Sequence, residues 1–123
     1  MITDNEHINN LVVAAYHREL EVYQYQLNID NYTTMLGSLP SDEWPDHLVE
    51  YKAATIESLP WDMSDTDVDL VSDYQYRDRL RALSRTERIE QSKARRVLDA
   101  LKEQIGADYT NLLNEFKAAQ LVV

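Results

Sequence analysis

Cysteine is absent from this sequence. That excludes a disulfide framework, a thiolate metal site and a thiol nucleophile. Glycine occurs twice and proline three times. So little punctuation favours long helices over many short strands, and no strand alternation or internal repeat is visible. No apolar run approaches the roughly 20 residues that span a bilayer. The opening MITDNEHINN lacks an apolar h-region, so no signal peptide is expected. No glycine-rich phosphate loop, nucleophile elbow or Ser-His-Asp context occurs. Nothing in the motifs calls for a cofactor.

The chain has 123 residues, 44% of them apolar, which suits one domain with a packed core. Its net charge of −10 argues against bulk attraction to nucleic acid or anionic membrane. The charge is unevenly placed. Residues 1–76 carry fifteen acids against two bases, residues 77–102 carry nine bases against four acids, and residues 103–123 carry three acids against one base. A cytoplasmic setting, or a virion if the protein is viral, is the expectation.

Capping signals divide the chain into helices. Asp4 or Asn5 opens a helix over about 5–36 that stops at Gly37. Ser41 opens a short helix over about 42–55, with Pro45 in its first turn. Leu59-Pro60-Trp61 breaks the chain. Ser64 then caps a helix over about 65–105, with acids in its first turn and Met63 and Val68 as a hydrophobic staple. Gly106 ends it, and Asp108 opens a last helix over about 109–120. Ser84-Arg-Thr-Glu87 forms a capping box inside the long helix, but without glycine or proline it predicts continuity. Ends fray unless something ties them down; both are expected to be packed here. The predicted architecture is all-α, an elongated, coiled-coil-like bundle in one domain. Its two long helices would measure about 48 and 60 Å at 1.5 Å per residue. A globule of this size has a radius of gyration of only about 14 Å.

The first helix carries two apolar series at 3-4 spacing. Val13, Tyr16, Leu20, Tyr23 and Leu27 form one; Val22, Tyr25, Ile29, Tyr32 and Leu36 form the other, on the opposite side. A helix with two apolar sides needs cover on both, and so short a chain has few helices to supply it. The long helix offers a seam of Tyr76, Leu80, Leu83, Ala94, Val97 and Leu101, interrupted by Glu87 and Glu90. Carboxylates there are costly unless paired, so an arginine-paired layer that fixes register is expected.

Arg81, Arg88, Arg95 and Lys102 recur every seven residues, flanked by Arg77 and Arg85, and form a basic stripe. It lacks the interleaved aromatics of a single-strand binder. Pairing with acidic helix faces of this chain or a second copy, through Glu19, Glu21 and Asp30, is the expected use. Asp65, Asp67 and Asp69 begin a calcium-loop pattern that fails at Leu70 and Tyr76, so they are helix-start acids. No Glu-x-x-His accompanies Glu87 and Glu90, and His17, Glu21 and His47 do not replace it, so no metal site is expected. Trp44-Pro45 and Pro60-Trp61 are expected to close the end of the bundle, with an exposed docking knob as the alternative.

These observations lead to a non-enzymatic, self-associating structural or adaptor subunit, of the kind found in virion or phage assemblies. Its interface would comprise Val13, Tyr16, Leu20, Tyr23, Tyr25, Leu27, Ile29 and Tyr32, with Arg81, Arg88, Arg95 and Lys102. The partner is a second copy or another protein; neither nucleic acid nor membrane is expected. A second reading is an acidic helical inhibitor that mimics nucleic acid. A third is a carboxylate-metal hydrolase built on Glu87 and Glu90.

Overall fold

The computed structural model describes residues 3–121. The chain is all-α. Three helices, α1 (Glu6–Leu36), α2 (Asp65–Ile105) and α3 (Tyr109–Leu121), make up most of it, with no strand among the described residues. The packing expected of the extreme ends concerns residues 1, 2, 122 and 123, which lie outside that range.

Local chemistry accounts for the helix limits. The Asn5 side chain accepts the Ile8 N–H at 3.2 Å, the N-cap bond that replaces a missing intrahelical partner. Ser64 does the same for α2, its hydroxyl accepting the Asp67 N–H at 3.1 Å. At the far end of α2, Gly106 takes a φ of 92°, where a side chain would be strained, and its N–H caps the Lys102 carbonyl at 3.0 Å. Helix α2 runs without interruption through Ser84, which is buried.

The stretch expected to be a short helix over 42–55 is instead a series of tight turns with one 3-10 turn at Val49–Tyr51; a second follows at Ile56–Ser58. Its main-chain bonds reach back three residues, from Leu48 to Pro45, Tyr51 to Leu48 and Ala54 to Tyr51. The partners of its carbonyls, not its buried residues, oppose an α-helix here. Trp44 and Leu48, both buried, keep a spacing that an α-helix would also serve, but the Gln75 carboxamide claims the Tyr51 and Ala54 carbonyls at 3.0 and 2.7 Å.

Contacts gather the chain into two compact units. The first combines the chain up to Leu27 with the chain from Glu87 onward. In it α1 and α2 run antiparallel and α3 closes a three-helix bundle over Val12, Ala15, Leu98, Ile105 and Leu113. The second unit is Asn28–Thr86, with a core of Trp44, Leu48, Leu59, Val71 and Tyr74. Met63 and Val68, the staple pair at the start of α2, both pack on that core. Val12, Leu48 and Val71 are almost wholly buried, each contributing roughly 1.5–3 kcal/mol of apolar burial.

Candidate interaction surface

In the first unit, the covered face of α1 lies one residue away from the apolar series read in the sequence. Val12 and Ala15 are fully buried, and Glu19, Val22 and Gln26 continue their 3-4 spacing as half-buried positions. On α2 the buried residues are Gln91, Ala94, Leu98 and Ile105, not Val97. The inner seam is therefore polar at its centre. It tolerates this because its polar groups are satisfied. The Gln91 carboxamide donates to the Val22 carbonyl at 3.2 Å and to the Gln26 side-chain oxygen at 3.0 Å. Among the described residues no buried side-chain nitrogen or oxygen lacks a partner.

One residue is about 100° of helix, enough to turn the expected seam outward. Leu20 is 47% exposed, Tyr23 62% and Leu27 38%. Ile89 and Val97 on α2 are also exposed. Tyr16, at the start of the same series, is half-buried and meets Phe116 of α3 edge-on at 5.1 Å. Val13 is half-buried. The second series behaves differently. Tyr25 and Tyr32 are half-buried, and Ile29 is 4% exposed. Ile29 is thus an interior residue rather than a surface anchor. Tyr25 lines a small cavity of about 140 Å³ with the exposed ion pairs Arg18–Glu21 (2.9 Å) and Glu90–Lys93 (3.2 Å).

Between α1, α2 and α3 of this unit opens a groove of about 610 Å³. Tyr16, Leu20, Val22 and Tyr23 give it apolar walls, and Glu19, Arg95 and Lys117 charge it, with one net positive charge. Lys117 and the Tyr109 hydroxyl both engage Glu19. Burial pushes the Tyr109 phenol above its ordinary range, and the Glu19 charge and hydrogen bond raise it further. Tyr109 therefore stays neutral and donates to Glu19. Sequence reasoning missed Lys117, which no spacing in the short last helix marks out.

Arg81, Arg88, Arg95 and Lys102 are all exposed. Lys102 lies over the Tyr109 ring at 5.2 Å. Two of the acids expected to receive the stripe are occupied elsewhere, Glu19 by Lys117 and Glu21 by Arg18. Arg77, expected to flank the stripe, is 3% exposed and belongs to the interior of the second unit. Its guanidinium donates to Asp78 Oδ1 from Nε (3.1 Å) and Nη2 (2.8 Å), binds the Asp42 carbonyl and lies 4.6 Å from the Tyr74 ring centre. Asp78 Oδ2 accepts the Trp44 indole N–H at 2.8 Å. Burial pushes the Asp78 carboxyl up, but the bonds from Trp44 and Arg77, with the Arg77 charge, outweigh it and hold it below the ordinary value.

The two Trp-Pro pairs part company. Trp44 is buried in the core of the second unit, whereas Trp61 is 95% exposed. Glu87 and Glu90 are both half-buried. Among the described residues no three histidine or acidic side chains converge as metal ligands, and no helix is long and apolar enough to cross a membrane. No protein-family model matches the chain, and no curated protein or solved structure matches it either.

Proposed function

We propose that this protein is a non-catalytic helical adaptor that self-associates through the outward apolar face of its first unit. The observation that carries this reading is the exposed series Leu20, Tyr23 and Leu27 beside the groove. Contiguous exposed apolar surface on a small acidic protein marks a contact surface. Tyrosine at its centre is the residue type enriched at such interfaces. The exposed arginines and the acidic remainder of the chain give two copies opposite charges to align, which sets orientation and encounter rate more than affinity.

The energetics limit what the series can do unaided. Its exposed fractions amount to about one and a half full side chains, or roughly 2–4 kcal/mol per copy if covered. Association costs about 4–15 kcal/mol in lost freedom. Additional contacts must therefore contribute. Sedimentation equilibrium from 1 to about 100 μM tests the reading. The wild type is expected to exceed its monomer mass of 14.4 kDa, and Tyr23→Asp, placed on an exposed helical site, to return it to monomer with helicity intact. A wild type that remains a 14.4 kDa monomer across this range refutes self-association.

A further inference from the structure

The main chain that carries the exposed tryptophan is anchored on both sides, although the indole itself is 95% exposed. Trp61 and Asp62 are the central residues of a turn closed by the Met63 N–H on the Pro60 carbonyl at 3.0 Å. On one side of the turn Leu59 is buried in the core of the second unit, and on the other Met63 packs against it. Pro60 restricts the approach further. A turn whose backbone is already fixed loses little main-chain freedom when it docks, which favours an aromatic at its tip as an anchor. Its surroundings are strongly acidic: residues 41–73 hold ten acids against Lys52 alone. Its partner surface must therefore be apolar and positively charged.

Such a surface is present on the same chain. The groove of the first unit has tyrosine, leucine and valine walls; its Lys117 is paired with Glu19, which leaves Arg95 as the net positive charge, and at about 610 Å³ it has room for an indole and the adjoining proline. Arg95 is exposed and has no carboxylate partner among the described residues. We propose that the Trp61 turn of one copy docks in the Tyr16–Leu20–Tyr23 groove of a second copy, with Asp62 and its acidic neighbours facing Arg95. This rests on the self-association reading above and specifies its geometry: the contact is heterologous, joining two different patches rather than one patch to itself. It also supplies the contact area that the α1 series lacks alone.

Heterologous contacts have a signature that self-complementary ones do not. Trp61→Ala removes the knob and Tyr23→Asp spoils the groove, both at exposed positions. Each variant alone should associate at least about 30-fold more weakly than the wild type, the loss expected of an interface hot spot. Mixed in equal amounts, they should associate again. The intact Trp61 of the Tyr23→Asp copy can then enter the intact groove of the Trp61→Ala copy. Sedimentation of the mixture should show a species of two chains, and the Trp61 fluorescence should shift to the blue only in the mixture. Circular dichroism of each variant confirms that it folds. If Trp61→Ala associates as tightly as the wild type, or if the mixture stays monomeric, the knob-and-groove contact is wrong while self-association stands. A monomeric wild type defeats both.

Discussion

The Arg77–Asp78–Trp44 cluster permits a quantitative test of how the second unit holds together. Arg77 is nearly inaccessible, while the Asp78 side chain keeps 43% of its exposure. Replacing Asp78 with alanine strips the guanidinium of its counter-ion and removes the acceptor of the Trp44 N–H, leaving the Asp42 carbonyl and the Tyr74 face. Breaking a fully buried pair from one side costs about 3–5 kcal/mol. Water can reach the place Asp78 vacates, so the expected cost of Asp78→Ala is about 2–3 kcal/mol. Arg77→Met removes the charge itself but keeps most of the buried stem. Asp78 retains the Trp44 bond and solvent, so the loss is the Asp42 bond and the ring contact, about 1–2 kcal/mol.

The double variant decides between accounts. If the penalty of Asp78→Ala is an uncompensated buried cation, removing that cation as well should recover about 1 kcal/mol or more. Urea unfolding in a Trp61→Phe background, where fluorescence reports Trp44 alone, measures it. With slopes of about 1–3 kcal/mol/M, Asp78→Ala should lower the midpoint by roughly 1–2 M, and Arg77→Met/Asp78→Ala should lie above it. A double variant less stable than Asp78→Ala refutes the argument. The acid limb gives an independent sign. Because the folded Asp78 pKa is depressed, its contribution is complete above the unfolded carboxylate value near 3.9 and is lost as pH falls through the lower folded value. Arg77→Met should flatten that limb.

Three other outcomes are expected. Reversing Arg81, Arg88 and Arg95 to Glu should weaken self-association and its sensitivity to salt, while the wild type gives no mobility shift with duplex DNA at micromolar concentration in about 0.15 M salt. Divalent metal should not raise the melting temperature strongly; a strong rise abolished by Glu87→Gln would establish the metal-site reading instead. Gly106→Ala meets no steric obstruction but must adopt a φ of 92°, so thermal unfolding should show a loss of about 1–2 kcal/mol.

Three helix ends were legible because they are written in local chemistry. Ser64 and Asn5 are caps whose side chains bond the first turn, and Gly106 takes the left-handed conformation that stops α2. Gly37, read in the same way, does not; α1 ends there in ordinary turns, Ser38 bonding Met35 and Leu39 bonding Leu36. What local signals do not carry is the choice among faces and partners. The turns over 42–55 depend on Gln75, more than twenty residues away. Arg77 reads as one more member of a basic stripe until Asp42, Tyr74 and Asp78 are seen around it. Trp44 and Trp61 each adjoin a proline, on opposite sides, yet Trp44 has an acceptor for its indole within the core and Trp61 stays exposed.

The inner seam of the first unit also bears on function. Two 3-4 frames compete on α1, one residue apart. The frame through Leu20, Tyr23 and Leu27 is the more apolar, and burial alone would select it. The frame actually covered passes through Glu19, Val22 and Gln26. It is held by Val12 and Ala15 at one end, where they meet Leu98, Ile105 and Leu113, and by the Gln91 bonds at the other. Hydrogen-bonded polar groups can be buried at little net cost, so the inner frame forfeits little. The outer frame forfeits more, since Tyr23 and Leu20 remain in water. A chain selected only for the stability of a lone molecule gains nothing from that placement. A chain that meets a second copy does, because the apolar groups kept out of its own seam are the ones available to the contact, and a register fixed by polar bonds keeps them facing outward.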